Sequence, residues 1–253
     1  MTLVATDAVV LHLFDYLESS RIIRLATREL GVQSVLARGA RRPKSRFGTS
    51  LDVFASGIAH FSAKPGRDLH NLTGFELTRS RLGLAQSLDR FSAGAALAEL
   101  ALAFAHDGPD DPIFDVLVES LDELTEAPAG TAADVGLRSA WRMVAALGFG
   151  PTLDMCAICR AEIPDSAAVG FSHTAGGIVC AQCRATVLTS RTLPPEARRA
   201  LHRWLQGEVE PLGGNADRRA HVRLLREFVL HHVAEGRELR ALSAWETSFR
   251  RSA

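Results

Sequence analysis

The 253-residue sequence contains no run of about 18 apolar residues such as a membrane span requires, although 47% of it is hydrophobic. The N-terminus carries no basic stretch followed by an apolar one, so a cytoplasmic protein is expected. Net charge is also missing, because 29 Lys and Arg are matched by 29 Asp and Glu. No G-x-S-x-G, Walker A or H-E-x-x-H pattern occurs, which removes the usual signatures of esterases, nucleotide hydrolases and zinc proteases. The fragment "GFGP" at 148–151 lacks the rest of a dinucleotide-binding fingerprint and reads as a helix stop. Internal repeats and low-complexity segments are absent too, so one large domain or two to three small ones are expected.

The missing net charge conceals a division. Residues 1–80 hold 11 basic against 7 acidic residues, residues 81–183 hold 5 against 14, and residues 184–253 hold 13 against 8. The sharpest concentration is "ARGARRPKSRFG", where Arg38, Arg41, Arg42, Lys44 and Arg46 fall in nine positions without an acid. Such a run attracts a polyanion, or else forms a solvated loop.

Residues 1–78 read as five short strands rich in β-branched and aromatic residues: Ala8–Phe14, Arg21–Thr27, Val32–Ala37, Leu51–Phe61 and Leu69–Leu77. Turns are expected at Glu29-Leu30-Gly31 and at Lys64-Pro65-Gly66. Five strands in so short a span indicate a small closed barrel of the OB type. From residue 79 the periodicity becomes helical. An Ala-rich helix or helix pair reaches His106-Asp107-Gly108-Pro109, a second helix starts with Asp111 as N-cap and Pro112 next, and a third ends at Gly148 to Pro151. Two more helices, beginning near Pro194 and capped by Asp217, follow the cysteines. The expected class is α+β multidomain: a barrel over 1–78, then an α-helical domain over 79–253 with an insertion at 153–186.

All four cysteines lie in that insertion, as Cys156-Ala-Ile-Cys159 and Cys180-Ala-Gln-Cys183 with twenty residues between the pairs. Each C-x-x-C turn aims two thiolates at one point, and two such turns are the spacing of a tetrahedral Zn²⁺ site with ligands Cys156, Cys159, Cys180 and Cys183. The competing readings are disulfides, which fit poorly with a chain lacking an export signal, and four unrelated buried thiols. Four sulfur ligands leave no open position, so the zinc would be structural. His173, between the pairs, reads as a surface loop residue.

Catalytic constellations are hard to assemble. Asp107, Asp110, Asp111 and Asp115 form one acidic cluster, readable as a Mg²⁺ site of a nuclease or, more simply, as a polar loop and a helix N-terminus. His231-His232 reads as packed or surface histidine. The basic segment connects the third and fourth strands, where an OB barrel opens a groove for single-stranded nucleic acid. Arg38, Arg41, Arg42, Lys44, Arg46 and Phe47 are therefore the candidate DNA-binding residues. Phe54 and Phe61 are further aromatics near them, and alternation along a strand requires some of these rings to face the core.

Six segments carry a resemblance: "DYLESSRIIRLATRELG", "ARGARRPKSRFG", "GRDLHNLTGFEL", "LGFGPTLDMCAIC", "GFSHTAGGIVCAQC" and "LLREFVLHHVAEGRELRAL". Over about Val4 to Leu242 the chain resembles the RecO family of bacterial recombination mediators. The resemblance implies an N-terminal OB-fold, a central helical domain and a zinc-ribbon-like insertion. It implies a non-enzymatic activity in DNA repair and recombination: binding single- and double-stranded DNA, annealing complementary strands and, with RecR, helping RecA displace single-strand DNA-binding protein. Some members of the family lack part of the cysteine set, so retention of all four favours a real metal site. The basic C-terminal helices, with Arg198, Arg199, Arg203, Arg218, Arg219, Arg223 and Arg226, offer a second DNA surface or a dock for the acidic tail of single-strand DNA-binding protein. The alternative function is a scaffold of a repair complex with only incidental DNA contact.

Overall fold

Alternation of apolar and polar residues in the first eighty positions produces five strands: β1 (Thr2–Tyr16), β2 (Ser20–Thr27), β3 (Gly31–Ala37), β4 (Ser56–Ala63) and β5 (Leu69–Arg79). They close into a barrel in the order β1-β2-β3-β5-β4, with β3 and β5 parallel and every other pair antiparallel. This is the OB-fold. The computed structural model describes residues 2–48, 50–63, 66–103, 111–187, 191–232 and 238–249, with the backbone alone at 111 and 112. The turn expected at Lys64-Pro65 and the helix stop at His106 to Pro109 lie outside them.

Inward-facing Val10, Ile23, Leu25, Val35, Ala59, Phe61 and Leu72 fill the barrel and are fully buried. Each of the larger ones contributes about 2 kcal/mol by leaving water. A bulge in β1 between Val10 and His12 inserts Leu11 and lets the long strand bend from β4 onto β2. One strand differs from expectation: β4 starts at Ser56 and not at Leu51. Phe54 sits at φ +70, so the chain cannot be extended there; Leu51 turns into the barrel core, while the Phe54 ring is buried against Gly94 and Phe91.

The chain divides into two compact units, Met1–Glu126 and Ala127–Ala253. The barrel strands end near the boundary expected at residue 78, but three helices beyond it pack within the first unit: α1 (Leu82–Ala85), α2 (Leu88–Ala103) and α3 (Asp111–Glu126). Phe54 meets Phe91 of α2 edge to face at 5.7 Å. The buried guanidinium of Arg81 donates to Phe54 O (2.6 Å), Ser56 Oγ (2.7 Å) and Asp122 Oδ1 of α3 (2.7 Å). It ties the first residues of β4 to a helix.

In the second unit, α4 (Ala132–Val144) is buried almost all round, with Leu137, Ala140, Trp141, Met143 and Val144 inaccessible, as befits a central helix. Its last turn widens over Ala145–Phe149 and stops at Gly148, where φ +85 is open to glycine at little cost. Against it stand α6 (Pro195–Leu205) and α7 (Asn215–His232), and α8 (Arg240–Ser248) packs on α7. Asp217 is the third residue of α7 and not its cap, and α8 was not expected at all. Between α4 and α6 lie the short helix α5 (Ala181–Arg184) and a three-stranded sheet, β6 (Val169–Ser172), β7 (Gly177–Val179) and β8 (Arg191–Leu193), in the order β7-β6-β8. Among the described residues no helix is long and apolar enough to cross a membrane.

Two predictions arise from buried polar groups. Arg81→Met should destabilise the first unit by about 3 kcal/mol in urea unfolding, because Asp122 and the Phe54 carbonyl lose their common donor. His221, packed against the Trp204 ring at 4.9 Å, has its pKa lowered by burial to about 4. Above pH 6.5 both folded and unfolded forms are neutral; as the pH falls toward 4 the unfolded chain takes up a proton that the folded one refuses. The second unit should therefore lose about 3 kcal/mol over that window, and His221→Leu should flatten that part of the stability curve.

Candidate nucleic-acid interface and metal centre

Between β3 and β4 the chain makes successive turns, held by Arg41 N–H to Ser19 O (3.0 Å), Arg42 N–H to Gly39 O (3.1 Å), Ser45 N–H to Arg42 O (2.9 Å) and Gly48 N–H to Ser45 O (3.1 Å). Phe47 and Leu51 anchor this loop by entering the barrel core, where Phe47 is only 3% exposed. The loop is thus a folded projection with its own apolar roots. Arg38, Arg41, Arg42, Lys44 and Arg46 all stay exposed. Arg41 lies 3.5 Å from Asp15, and Arg46 lies over the Phe47 ring (4.9 Å) and donates to Leu72 O (3.1 Å). Among the described residues no carboxylate pairs with Arg38, Arg42 or Lys44. These three are the strongest candidates for phosphate.

The burial of Phe47 corrects the sequence reading: its ring is a core group and cannot stack on a base. Phe54 and Phe61 are buried as well. The exposed rings of the barrel are Phe14 (48%) and Tyr16 (40%), on the last residues of β1, which sequence reasoning did not single out. Their signal was available in the period-two pattern of β1, which puts His12, Phe14 and Tyr16 on one face.

The C-terminal arginines also differ from expectation. Arg198 is buried and donates to the carbonyls of Leu153 (3.0 Å), Ile163 (3.2 Å) and Pro164 (3.0 Å), pinning the cysteine-bearing segment to α6. Arg203 pairs with Glu208 and Glu210, Arg218 grips Asp134 with both nitrogens at 2.9 Å, and Arg223 and Arg226 share the buried Glu246. The two arginines hold the Glu246 carboxyl below the usual range against the opposing effect of its burial. These side chains hold the unit together and are poorly placed to offer their charge to a second DNA surface. Of the acidic cluster, Asp107 and Asp110 lie outside the described residues, as does the Asp111 side chain. Asp115 is paired with Arg28 at 2.8 Å.

The four cysteines converge. The sulfurs of Cys156, Cys159, Cys180 and Cys183 all lie within 4.8 Å of one another, with Cys159 Sγ and Cys180 Sγ 3.8 Å apart. Tetrahedral coordination with metal–sulfur bonds of about 2.3 Å separates sulfurs by about 3.8 Å. None is in a disulfide. The first pair sits on a knuckle in which Cys156 N–H donates to Ala161 O and Arg160 N–H to Cys156 O, each at 2.9 Å. The second opens α5, where Cys180 Sγ accepts from Cys183 N–H. Gly177 lets the two halves meet: a Cβ there would stand 2.2 Å from Thr152 O, across the bridge that joins residues 152 and 177.

The thiols show what the cluster wants. Burial pushes the Cys156 thiol up, but N–H groups of Cys159, Cys180 and Ile158 outweigh it and bring the pKa down to about 6. Cys183 is pushed up to about 12, chiefly by its hydrogen bond with Cys159. One negative charge is welcome and a full set is not, unless a cation shares the site. The donor set fits a divalent thiophilic metal. His173 contributes nothing to it; its Nε2 faces Glu227 at 3.3 Å and its ring packs on Phe171 and Phe228, so it is half-buried and not a surface loop residue.

A closed five-stranded OB barrel carrying a basic loop, followed by a helical unit whose four cysteines are close enough to hold a metal ion, defines a class of two-part proteins. Comparison with known proteins narrows this. The model of the recombination protein O N-terminal domain matches residues 1–81 and that of its C-terminal domain matches residues 85–241. The chain is 34% identical over 237 residues to the DNA repair protein RecO of Rubrobacter xylanophilus, covering 92% of each. It is 38% identical over 251 residues to that of Anaeromyxobacter dehalogenans, covering 95% of each. The chain belongs to the RecO family.

Loading the metal-free protein with Co²⁺ should give thiolate-to-metal absorption at one equivalent and release protons. Cys180→Ser should abolish the band and lower the thermal midpoint of the second unit.

Proposed function

We propose that this chain is a DNA repair and recombination mediator that binds single- and double-stranded DNA, anneals complementary strands and, together with RecR, assists RecA in loading onto DNA coated with single-strand DNA-binding protein. The observation that carries DNA binding is the anchored loop of β3–β4, with Arg38, Arg42 and Lys44 exposed beside no carboxylate partner. The mediator role and the partners rest on membership in the RecO family. A protein that neutralises phosphates on two strands reduces their mutual repulsion, so pairing can nucleate. No bond is made or broken in this activity, and the protein acts as a binder rather than an enzyme.

In this reading the four cysteines hold Zn²⁺. With all four positions taken by sulfur the ion supplies no open coordination site, and it fixes the segment that Arg198 ties to α6. Loss of zinc would loosen the helical unit without removing the basic loop.

The salt dependence of single-strand binding tests the loop. Each phosphate contact contributes about 0.7 to the slope of log affinity against log salt, so Arg38→Ala/Arg42→Ala/Lys44→Ala should lower the slope by about 2. Unchanged affinity and slope would remove the loop from the interface and leave the scaffold reading. Annealing of strands coated with single-strand DNA-binding protein, with and without RecR, tests the mediator role.

A further inference from the structure

The second unit contains a cavity of about 430 Å³ bordered by β8, α6, α7 and the connection from α6 to α7. Sites for ligands span about 300 to 1,000 Å³. Its walls are apolar at Leu193, Ala197, Leu212, Ala220 and Leu224. Its charges are unevenly spent. Every arginine that lines it already faces a carboxylate: Arg191 faces Glu227, Arg199 faces Glu210 and Arg223 faces Glu246. Glu196 and Asp217 line it as well, and among the described residues neither is paired with a base. Each stands in the first turn of its helix, α6 or α7, where the helix N-terminus supplies about half a positive charge. A negative remainder is left at both.

Two further features of the cavity call for a polar partner. His221 lines it and is only 3% exposed, and among the described residues neither of its ring nitrogens has a hydrogen-bond partner. Burial keeps the ring neutral, so it has one donor and one acceptor to satisfy, the pair that a peptide unit offers in return. All three residues of β8 also line the cavity. β6 covers one side of β8, and among the described residues no strand pairs with the other. β7, at the opposite edge of the sheet, has Gly177 bridged to Thr152. The open edge of β8 presents backbone N–H and C=O groups to whatever lies beside it.

We infer that this cavity receives an extended segment of a partner protein in which a lysine or arginine stands between aliphatic residues. The segment adds its backbone to the edge of β8, lays its aliphatic side chains against Leu193, Leu212 and Leu224, and sets its cation between Glu196 and Asp217. A small organic cation would meet the carboxylates but leave the strand edge bare, and an acidic segment would meet two like charges and arginines that are already paired. The site lies wholly in the second unit and is independent of the basic loop of the barrel.

The test uses the full chain and three pools of fluorescent seven-residue peptides. Ala, Val, Leu and Thr are drawn at random for the flanks, and the central residue is Arg, norleucine or Glu. The wild type should bind the Arg pool more tightly than the other two. Glu196→Gln/Asp217→Asn, whose folding is checked by circular dichroism, should lose about fivefold for the Arg pool and bind the norleucine pool as the wild type does. N-methylation of alternate backbone nitrogens in the Arg pool should weaken binding by removing the donors that reach β8. The inference is overturned if the wild type binds no pool, if the Glu pool binds as well as the Arg pool, or if the Arg preference survives in the double variant. Equal binding of the N-methylated pool, or displacement of the Arg pool by agmatine at the same concentration as by unlabelled peptide, would make the cavity a site for a small cation and overturn the strand addition. The comparison of pools on the wild type decides the matter even where a variant fails to fold.

Discussion

The entry of Phe47 and Leu51 into the barrel is the contact on which the rest of the first unit depends. A segment with five positive charges and no acid would otherwise be a solvated loop of many conformations, and ordering it on a ligand would cost much of the binding energy. By sinking two apolar side chains into the core beside Leu72 and Phe61, the chain fixes where its arginines start and end. Arg81 extends the same arrangement, since its donors to Phe54 O, Ser56 Oγ and Asp122 tie the chain that enters β4 to α3. Core, loop and charge are one construction.

The second unit solves a different problem, that of holding many charges inside a small body. Asp134, Glu227 and Glu246 are each gripped by arginine, and Arg198 spends its donors on three backbone carbonyls. An arginine left without its partner there would be an uncompensated buried charge. The same unit contains a cysteine cluster whose thiols favour one anion and resist further ones, which a divalent ion relieves. Electrostatic pairing thus adds to an apolar core built around Trp141, Trp204 and Trp245.

Much of this was legible in the chain. Richness in β-branched and aromatic residues located all five barrel strands, the C-x-x-C spacing located the cysteine cluster, and the acid-free run located the loop. The failures share a cause. Phe47 was read as a stacking ring, the C-terminal arginines as available charge and the loop residue His173 as exposed, and each reading assumed an exposure that depends on what packs against the residue. α8 went unseen because Arg240–Ser248 is short, and its buried side chains Leu242 and Trp245 gain meaning only from their neighbours in space.

The sequence by itself determined which residue types stand at which intervals: sulfur at the spacing of two knuckles, alternating apolar residues for a barrel, and five cations without an acid. Those are local properties, carried by the backbone periods of strand and turn. Tertiary structure alone decided which aromatic rings face water, which arginines keep their charge free and where Asp15 is neutralised. Such outcomes are set by register between strands far apart in the chain and by closure of the barrel, and no window of sequence contains both partners.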